Sequence, residues 1–383
     1  MPSGNRPISP PPEARPGLFA EGTAQILLPV LAIVVIVLAV GATLAVAGNT
    51  LGYDFLAFHA AAARVLDGNP AYDTSYQVAG GFGLFFYPPA FIPLVLVFGA
   101  LPAQAATWAW TVLLLAAFAV GAWLLPVSTR TRWVVVLLAG QSWPFLYAVK
   151  LGQVGPLLFL LFAAGWRWLD RPWVLGATGA LGAAIKLQPG IVLAWALLTR
   201  RWTAVLAGAV VLAVLSVVAT LIVGIQGWGD FLLLIGRLSD PITTPHNFTP
   251  GAVAYQLGAP RDVAGAIQWL SMGLTAAAVV LAALRLPAAP SYLVAVIASQ
   301  LLSPILWDHY AMLLLLPVAW MVDRGRWWAA GAVLATSVVL VGVVPAWVYP
   351  LAFWACLVGV LGMPAPTAPS RWLSRRHRER GAL

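Results

Sequence analysis

The chain has 383 residues, of which 61% are hydrophobic and only 9% are charged, and its mean hydropathy is +0.90. A soluble domain carries about 25% charged residues, and disordered chains are poor in apolar residues, so the composition excludes both classes. The single cysteine, Cys356, excludes a disulfide scaffold and a cysteine-based zinc site. The composition therefore indicates a polytopic membrane protein.

The formal net charge of +9 does not indicate a nucleic-acid partner. The basic residues lie singly or in pairs between apolar runs and are dense only over 371–380. Residues 365–383 are typical of a basic cytoplasmic tail that is attracted to anionic lipid. An RNA-binding arm is the alternative, but no aromatic-bearing nucleic-acid module accompanies the tail. We expect membrane lipids, and no nucleic acid, as partners.

At the start of the chain, the proline-rich residues 1–22 predict a disordered cytoplasmic leader. The uncharged run 25–47 predicts a first transmembrane helix, because it can span about 30 Å of hydrocarbon. A signal peptide is disfavoured, since its apolar region would be shorter. Residues 48–86 and 227–262 are predicted to be external loops within a transmembrane domain over 23–364. The further apolar runs, which bring the predicted total to about 12 membrane helices, are 87–101, 104–126, 132–149, 154–169, 173–199, 202–226, 263–285, 290–305, 309–322, 327–344 and 346–362.

Twelve spans place both termini on one side of the membrane, and the arginine bias predicts that this side is the cytoplasm. The arginines assigned to the cytoplasm are Arg6, Arg15, Arg200, Arg201, Arg285, Arg324, Arg326 and five in the tail. Those assigned to the outside are Arg64, Arg130, Arg132, Arg167, Arg171, Arg237 and Arg261, although the 130/132 and 167/171 pairs look cytoplasmic locally. Most acidic residues fall outside, which suggests an external polar site.

The first external segment contains Tyr53 and Asp54, followed by helix-forming residues over 54–66 and by the helix stop Asp67-Gly68-Asn69-Pro70. Asp54 has two interpretations. It could be the N-cap of this helix, or a general base that faces an aqueous cavity at the membrane boundary.

Two later motifs combine a turn with a polar side chain. Tyr87 precedes Pro88-Pro89, which predicts a helix start and leaves the tyrosine hydroxyl at the interface. Gly152-Gln153 predicts a turn between two apolar runs. The amide of Gln153 needs hydrogen-bonding partners there, because an unsatisfied amide in hydrocarbon costs several kcal/mol.

Lys186 lies inside a long apolar run, and an intramembrane lysine costs about 2.5–3.5 kcal/mol on insertion scales. The lysine could extend towards the interface, or it could meet a carboxylate or an anionic ligand. Pro189 is predicted to break the helix nearby and to free backbone carbonyls. Lys186 is therefore a candidate phosphate-binding residue.

Polar residues also cluster in two later segments. The loop 240–250 is rich in turn residues and contains Asn247, and the segment 299–310 contains His309 between Asp308 and Tyr310. Asp308 would keep an imidazolium facing a phosphate. The segments 48–87, 227–262 and 303–310 are predicted to meet on the outer face. No HExxH or DxD motif occurs in the chain, which disfavours a metal site.

These motifs, in this order, resemble glycosyltransferase family 87, within the GT-C superfamily of polytopic enzymes that use polyprenyl-phosphate sugars. The resemblance covers about residues 25–350 and rests on Tyr53-Asp54, Gly68-Asn69-Pro70-Ala71-Tyr72, Tyr87-Pro88-Pro89, Gly152-Gln153, Lys186-Leu187-Gln188-Pro189 with Arg200-Arg201-Trp202, and Ser303-Pro304 through Trp307-Asp308-His309. It implies an all-α integral membrane fold: a GT-C-type helical bundle whose external first loop carries short helices. The sequence departs from the family at 243–250, where an Asn-Gln-Ser-like segment is expected, and this departure leaves the acceptor open.

The resemblance also implies roles for single residues. Asp54 would be the catalytic base that deprotonates an acceptor hydroxyl, and the reaction would invert a β-linked donor to an α-linked product. His309 and Lys186 would bind the donor phosphate. The weaker candidates for substrate binding are Gln153, Asn247, Tyr53, Tyr87 and Asp308. No metal and no other cofactor is expected.

The sequence therefore predicts a multi-pass hexosyltransferase of the bacterial plasma membrane, with its active site on the external face. It would transfer a hexose, expected to be mannose, from a polyprenyl-phosphate sugar to a lipid-linked or glycan acceptor. A transporter or flippase is the alternative, although the inverted repeats typical of transporters are not found. A non-catalytic polyprenyl-lipid-binding protein is a third interpretation.

Overall fold

The computed structural model describes residues 18–75, 84–237 and 240–362, and within these ranges it is all-helical, with one isolated β-bridge and no strand. This confirms the predicted all-α class. The basic tail and residues 1–17 of the leader lie outside the described ranges. The helices are α1 Leu18–Ala47, α2 Phe55–Leu66, α3 Ile92–Gly99, α4 Ala103–Leu124, α5 Thr129–Gln141, α6 Trp143–Leu151, α7 Gly155–Arg167, α8 Pro172–Ile185, α9 Ile191–Leu198, α10 Trp202–Gly236, α11 Pro250–Gln256, α12 Arg261–Arg285, α13 Ala288–Leu301, α14 Leu315–Val322, α15 Ala330–Leu334 and α16 Val348–Leu361.

Four helices of the described chain are long and apolar enough to cross a membrane: Ile26–Thr50, Ala103–Leu124, Trp202–Gly236 and Arg261–Arg285. A fifth crossing results if the bent pair Trp143–Leu151 and Gly155–Arg167 counts as one span. The first of the four coincides with the predicted span 25–47. The remaining apolar helices are shorter than a full span, so the total of twelve membrane helices stays a prediction.

Two predicted helix breaks lie where the polar motifs are. Helix α8 ends at Ile185, and a 3₁₀ turn over Gln188–Gly190 precedes α9, which confirms the break at Pro189. Helices α6 and α7 meet at 118° across Gly152, whose φ of 70° is the left-handed conformation that favours glycine. Both breaks expose backbone and polar side chains between apolar segments.

Helix α10 differs from its prediction. The apolar run was expected to end at 226 and to be followed by an external loop, but the helix continues to Gly236. Gly224 interrupts it with φ 68° and ψ 174°, a conformation open to glycine. The residues after this kink form a helical segment in place of the predicted loop.

The basic loops between helices share one end of the molecule. The Asp323 carboxylate accepts hydrogen bonds from the Ser128 backbone N–H and from the Thr131 hydroxyl, both at 2.9 Å. The Arg130 guanidinium lies 5.6 Å from the ring centroid of Trp327. Residues 128–131 and 323–327 therefore lie on the same side.

Helices α4 and α7 run side by side in the same direction, since Trp110 Nε1 donates to the Gly152 carbonyl and Gly121 lies against Phe159 and Leu160, so the loop 167–171 lies at the same end as residues 125–131. Arg201 lies there too, because its Nη1 donates to the Leu169 carbonyl at 2.7 Å. These contacts contradict the predicted split, in which Arg130, Arg132, Arg167 and Arg171 lie on the side opposite Arg200, Arg201, Arg324 and Arg326. The error has a physical reason. Run 87–101 was counted as a crossing, but α3 has eight residues and is about 12 Å long; run 173–199 was counted as one crossing, but it holds two helices.

Small residues allow helices α8 and α10 to pack closely. A Cβ on Gly176 of α8 would overlap the Ala204 carbonyl oxygen of α10, and a Cβ on Gly208 of α10 would lie 3.2 Å from the Gly176 carbonyl oxygen. Close backbone approach at small residues is the usual way in which membrane helices associate. The first half of α8 is therefore held against α10.

Candidate active site

A cavity of about 670 Å³ lies at the end of the molecule opposite the basic loops. The segments 48–87, 227–262 and 303–310, which were predicted to meet, all contribute to it. The lining side chains that carry a polar atom are Tyr53, Asp54, Tyr87, Tyr147, Gln153, Lys186, Gln188, His246, Ser303, Trp307, Asp308, His309 and Tyr310. The cavity also has apolar walls, which include Leu187, Phe231 and Ile235.

Asp54 is held against the turn between α6 and α7 by backbone hydrogen bonds. Its N–H donates to the Leu151 carbonyl at 2.9 Å, and the Gly52 N–H donates to the Lys150 carbonyl at 2.7 Å. Gly152 permits this approach, since a Cβ there would lie 2.6 Å from Phe55 Cβ. The first loop is therefore fixed to the helix break.

The Asp54 side chain does not serve as a helix cap. Asp54 occupies the N-cap position of α2 without a side-chain capping bond, and its Oδ2 instead accepts a hydrogen bond from Gln153 Nε2 at 2.5 Å. The Tyr87 hydroxyl donates to Gln153 Oε1 at 3.0 Å, so the buried amide is satisfied on both sides. The second carboxylate oxygen of Asp54 is available to a hydroxyl in the cavity.

Lys186 is half-buried and lies between two tyrosine rings. Its Nζ donates to the Tyr310 hydroxyl at 2.7 Å and lies 4.2 Å and 5.5 Å from the ring centroids of Tyr310 and Tyr87. In the described part of the chain, no carboxylate comes within ion-pair distance of this ammonium group. The arrangement favours an anionic ligand over a carboxylate partner.

His309 is 4% exposed and lines the cavity. Its Nδ1 lies 3.5 Å from Asp308 Oδ1, but neither ring nitrogen makes a hydrogen bond within the described residues. A buried polar group without a partner costs about 1–3 kcal/mol, and such a group at a cavity wall is a candidate ligand contact. A phosphate oxygen would satisfy it.

Asn247, a predicted substrate contact, does not line the cavity. It is fully buried, and its amide builds the loop: Nδ2 donates to the carbonyls of Pro241 and Pro304, and Oδ1 accepts from the N–H groups of Thr249 and Leu306. This hydrogen bonding joins the loop 240–250 to the segment 303–306. The placement removes Asn247 from the candidate contacts.

The neighbouring His246 faces the cavity instead, with a backbone φ of 58° that is unusual outside glycine. Sequence reasoning also missed Tyr147, Gln188, Ser303 and Tyr310. Gln188 and Tyr310 lie close in sequence to predicted site residues and could have been included on that ground.

Tyr53, a predicted substrate contact, lies at the cavity and is 47% exposed. Among the described residues, no three His, Cys, Asp or Glu side chains could together hold a metal ion.

The comparison with known proteins agrees with these motifs. The chain is 29% identical over 327 residues to a polyprenol-phosphate-mannose-dependent alpha-(1-2)-phosphatidylinositol pentamannoside mannosyltransferase of Mycolicibacterium smegmatis, with 80% of this chain and 78% of the relative aligned. It is 30% identical over 284 residues to a polyprenol-phosphate-mannose-dependent alpha-(1-2)-phosphatidylinositol mannoside mannosyltransferase of Mycobacterium tuberculosis, with 64% of each chain aligned. No solved structure matches significantly.

The family model of glycosyltransferase family 87 matches residues 85–306. This range contains Gln153 and Lys186, whereas Asp54 and His309 lie outside it. Because the match covers more than half of the 383 residues, the chain belongs to glycosyltransferase family 87.

Proposed function

We propose that this glycosyltransferase transfers mannose from polyprenyl-phosphate mannose to a lipid-linked acceptor, without a metal ion and with inversion at the anomeric carbon. The activities for which both relatives are named support the donor and the lipid-linked class of acceptor. The single observation that carries the proposal is the convergence of a carboxylate, an ammonium group and an imidazole, those of Asp54, Lys186 and His309, on one cavity.

Each of these three groups has a chemical role in the reaction. Asp54 accepts the proton of the acceptor hydroxyl as that oxygen bonds to the anomeric carbon. The bond between the anomeric carbon and the phosphate oxygen breaks, and polyprenyl phosphate leaves with the electron pair. Lys186 and His309 stabilise the negative charge that develops on the leaving phosphate. Attack from the side opposite the phosphate inverts the configuration.

We propose that the cavity faces the outside of the plasma membrane. The described loops at the other end carry Arg130, Arg132, Arg167, Arg171, Arg200, Arg201, Arg324 and Arg326, and arginine-rich loops are typical of the cytoplasmic side. The loops 128–132 and 167–171 add four arginines to this end of the molecule, which supports a cytoplasmic location for it.

Metal independence is tested with purified protein, labelled polyprenyl-phosphate mannose and a membrane lipid extract. We expect excess EDTA to leave the transfer rate within about twofold, because Lys186 and His309 stabilise the leaving phosphate without a metal ion. A parallel assay with GDP-mannose as the donor should give no transfer. Activity that EDTA abolishes and magnesium restores would refute the metal-free mechanism, and direct use of GDP-mannose would refute the donor class.

A further inference from the structure

We propose that Tyr147 and Asp308 form the subsite that holds the transferred sugar of the donor. This inference rests on the proposed function and assigns to Tyr147 a role that none of the motifs suggests. Tyr147 projects from α6 into the cavity, and its ring stacks on Trp143 with 4.7 Å between centroids and 15° between planes. The stack fixes the ring, which presents apolar surface to the cavity.

The carboxylate of Asp308 is held in place by two hydrogen bonds and can accept further ones. Its Oδ2 accepts from Trp143 Nε1 at 3.0 Å, and its Oδ1 accepts from the His309 backbone N–H at 2.7 Å. The side chain is 17% exposed, and each oxygen keeps a second lone pair. A fixed carboxylate of this kind can accept hydrogen bonds from two hydroxyl groups of one ligand.

Tyr147 shares the cavity with both carboxylates, Asp54 and Asp308. Leu151, one turn further along α6, accepts the backbone hydrogen bond of Asp54 at 2.9 Å. The His309 ring is 6.3 Å from the Tyr147 ring. A group attached directly to a phosphate at His309 would therefore lie near Tyr147.

A hexose has the chemistry that this arrangement recognises. Its C–H surface packs on an aromatic ring, and its hydroxyl groups donate hydrogen bonds to a carboxylate. The sugar of a polyprenyl-phosphate sugar is bonded to the phosphate, so a phosphate at Lys186 and His309 brings the sugar to this pair. The rival occupant is the prenyl chain, which would contact Tyr147 through apolar surface alone.

The test measures the affinity of purified full-length protein for two lipids, polyprenyl-phosphate mannose and polyprenyl phosphate without the sugar. For Tyr147→Leu we expect affinity for the mannose lipid to fall about tenfold, the scale of one lost aromatic contact, and affinity for the sugar-free lipid to stay within about twofold. Tyr147→Phe keeps the ring and should bind both lipids nearly as the wild type does. Tyr255→Leu, an exposed position on α11 away from the cavity, is the matched control.

Asp308→Asn should weaken binding of the mannose lipid more than binding of the sugar-free lipid, because an amide replaces one acceptor oxygen with a donor. Retained binding of polyprenyl phosphate shows in each case that the variant is folded. Equal loss for both lipids in Tyr147→Leu would assign the ring to the prenyl chain and overturn the subsite, as would no loss. If the wild type binds neither lipid, the proposed function fails together with the subsite. If the wild type transfers mannose and Tyr147→Leu keeps full affinity for the mannose lipid, only the subsite proposal fails.

Discussion

Replacing Asp54 with asparagine is expected to lower kcat for mannose transfer by about 10²–10⁴-fold, the range that general-base catalysis supplies. The variant keeps the size of the side chain and can still accept a hydrogen bond from Gln153 through its carbonyl oxygen. Donor affinity should change little, because the phosphate contacts of Lys186 and His309 remain. The measurement is the initial rate at saturating donor, with donor affinity determined separately.

The same substitution separates a catalytic Asp54 from a purely structural one. Because asparagine can keep the hydrogen bond from Gln153, a purely structural residue would tolerate the change. Asp67→Asn is the matched control, because Asp67 is exposed at the opposite end of α2 and outside the cavity. An Asp54→Asn enzyme with a rate near that of the wild type would refute the base assignment, and an equal loss in Asp67→Asn would point to instability of α2.

The substitution Lys186→Met has the second largest expected effect, a fall in kcat of about 10²–10³-fold, comparable with the loss of one group that stabilises developing negative charge. Methionine retains an apolar stem and removes a charge that is costly in the membrane, so insertion and folding should not suffer. Lys186→Arg should recover part of the rate, because it restores the charge with a different shape.

Lys150→Met is the control for this experiment, since Lys150 is the other lysine of the chain and does not line the cavity. We expect it to retain the wild-type rate. If Lys186→Met also retains activity within a few-fold, the ammonium group does not bind the leaving phosphate, and the alternative of a lysine that merely extends to the interface is favoured.

The main polar residues of the site could be predicted because a membrane chain has few of them. Lys186 and Gln153 stand out within apolar runs, where any polar side chain requires a partner. Asp54 and His309 stand out at the ends of such runs. Because all four are conspicuous in an apolar context, the sequence predicts which residues meet, although it does not predict how they are arranged.

Other features could not be predicted, for reasons that are also physical. Tyr147 lies in an apolar run where any aromatic residue packs well, so nothing in the pattern marks it as a cavity residue. His246 and Asn247 are neighbours in one loop, and only the backbone conformation decides which faces inward. Periodicity and run length also could not show that α3 is apolar but shorter than a full span, or that run 173–199, which is long enough for one span, contains two helices.

The proposed transfer of mannose from a lipid phosphate, with Asp54 as the base, is tested most directly with radiolabelled polyprenyl-phosphate mannose and a membrane lipid extract. Purified wild type and Asp54→Ala are incubated with both, and the label in the product lipids is counted. We expect labelled product with the wild type and none above background with Asp54→Ala. Equal transfer by Asp54→Ala would contradict the role of Asp54 as the base. No transfer by the wild type from any polyprenyl-phosphate sugar would contradict the proposed mannosyltransferase activity and favour a lipid transporter.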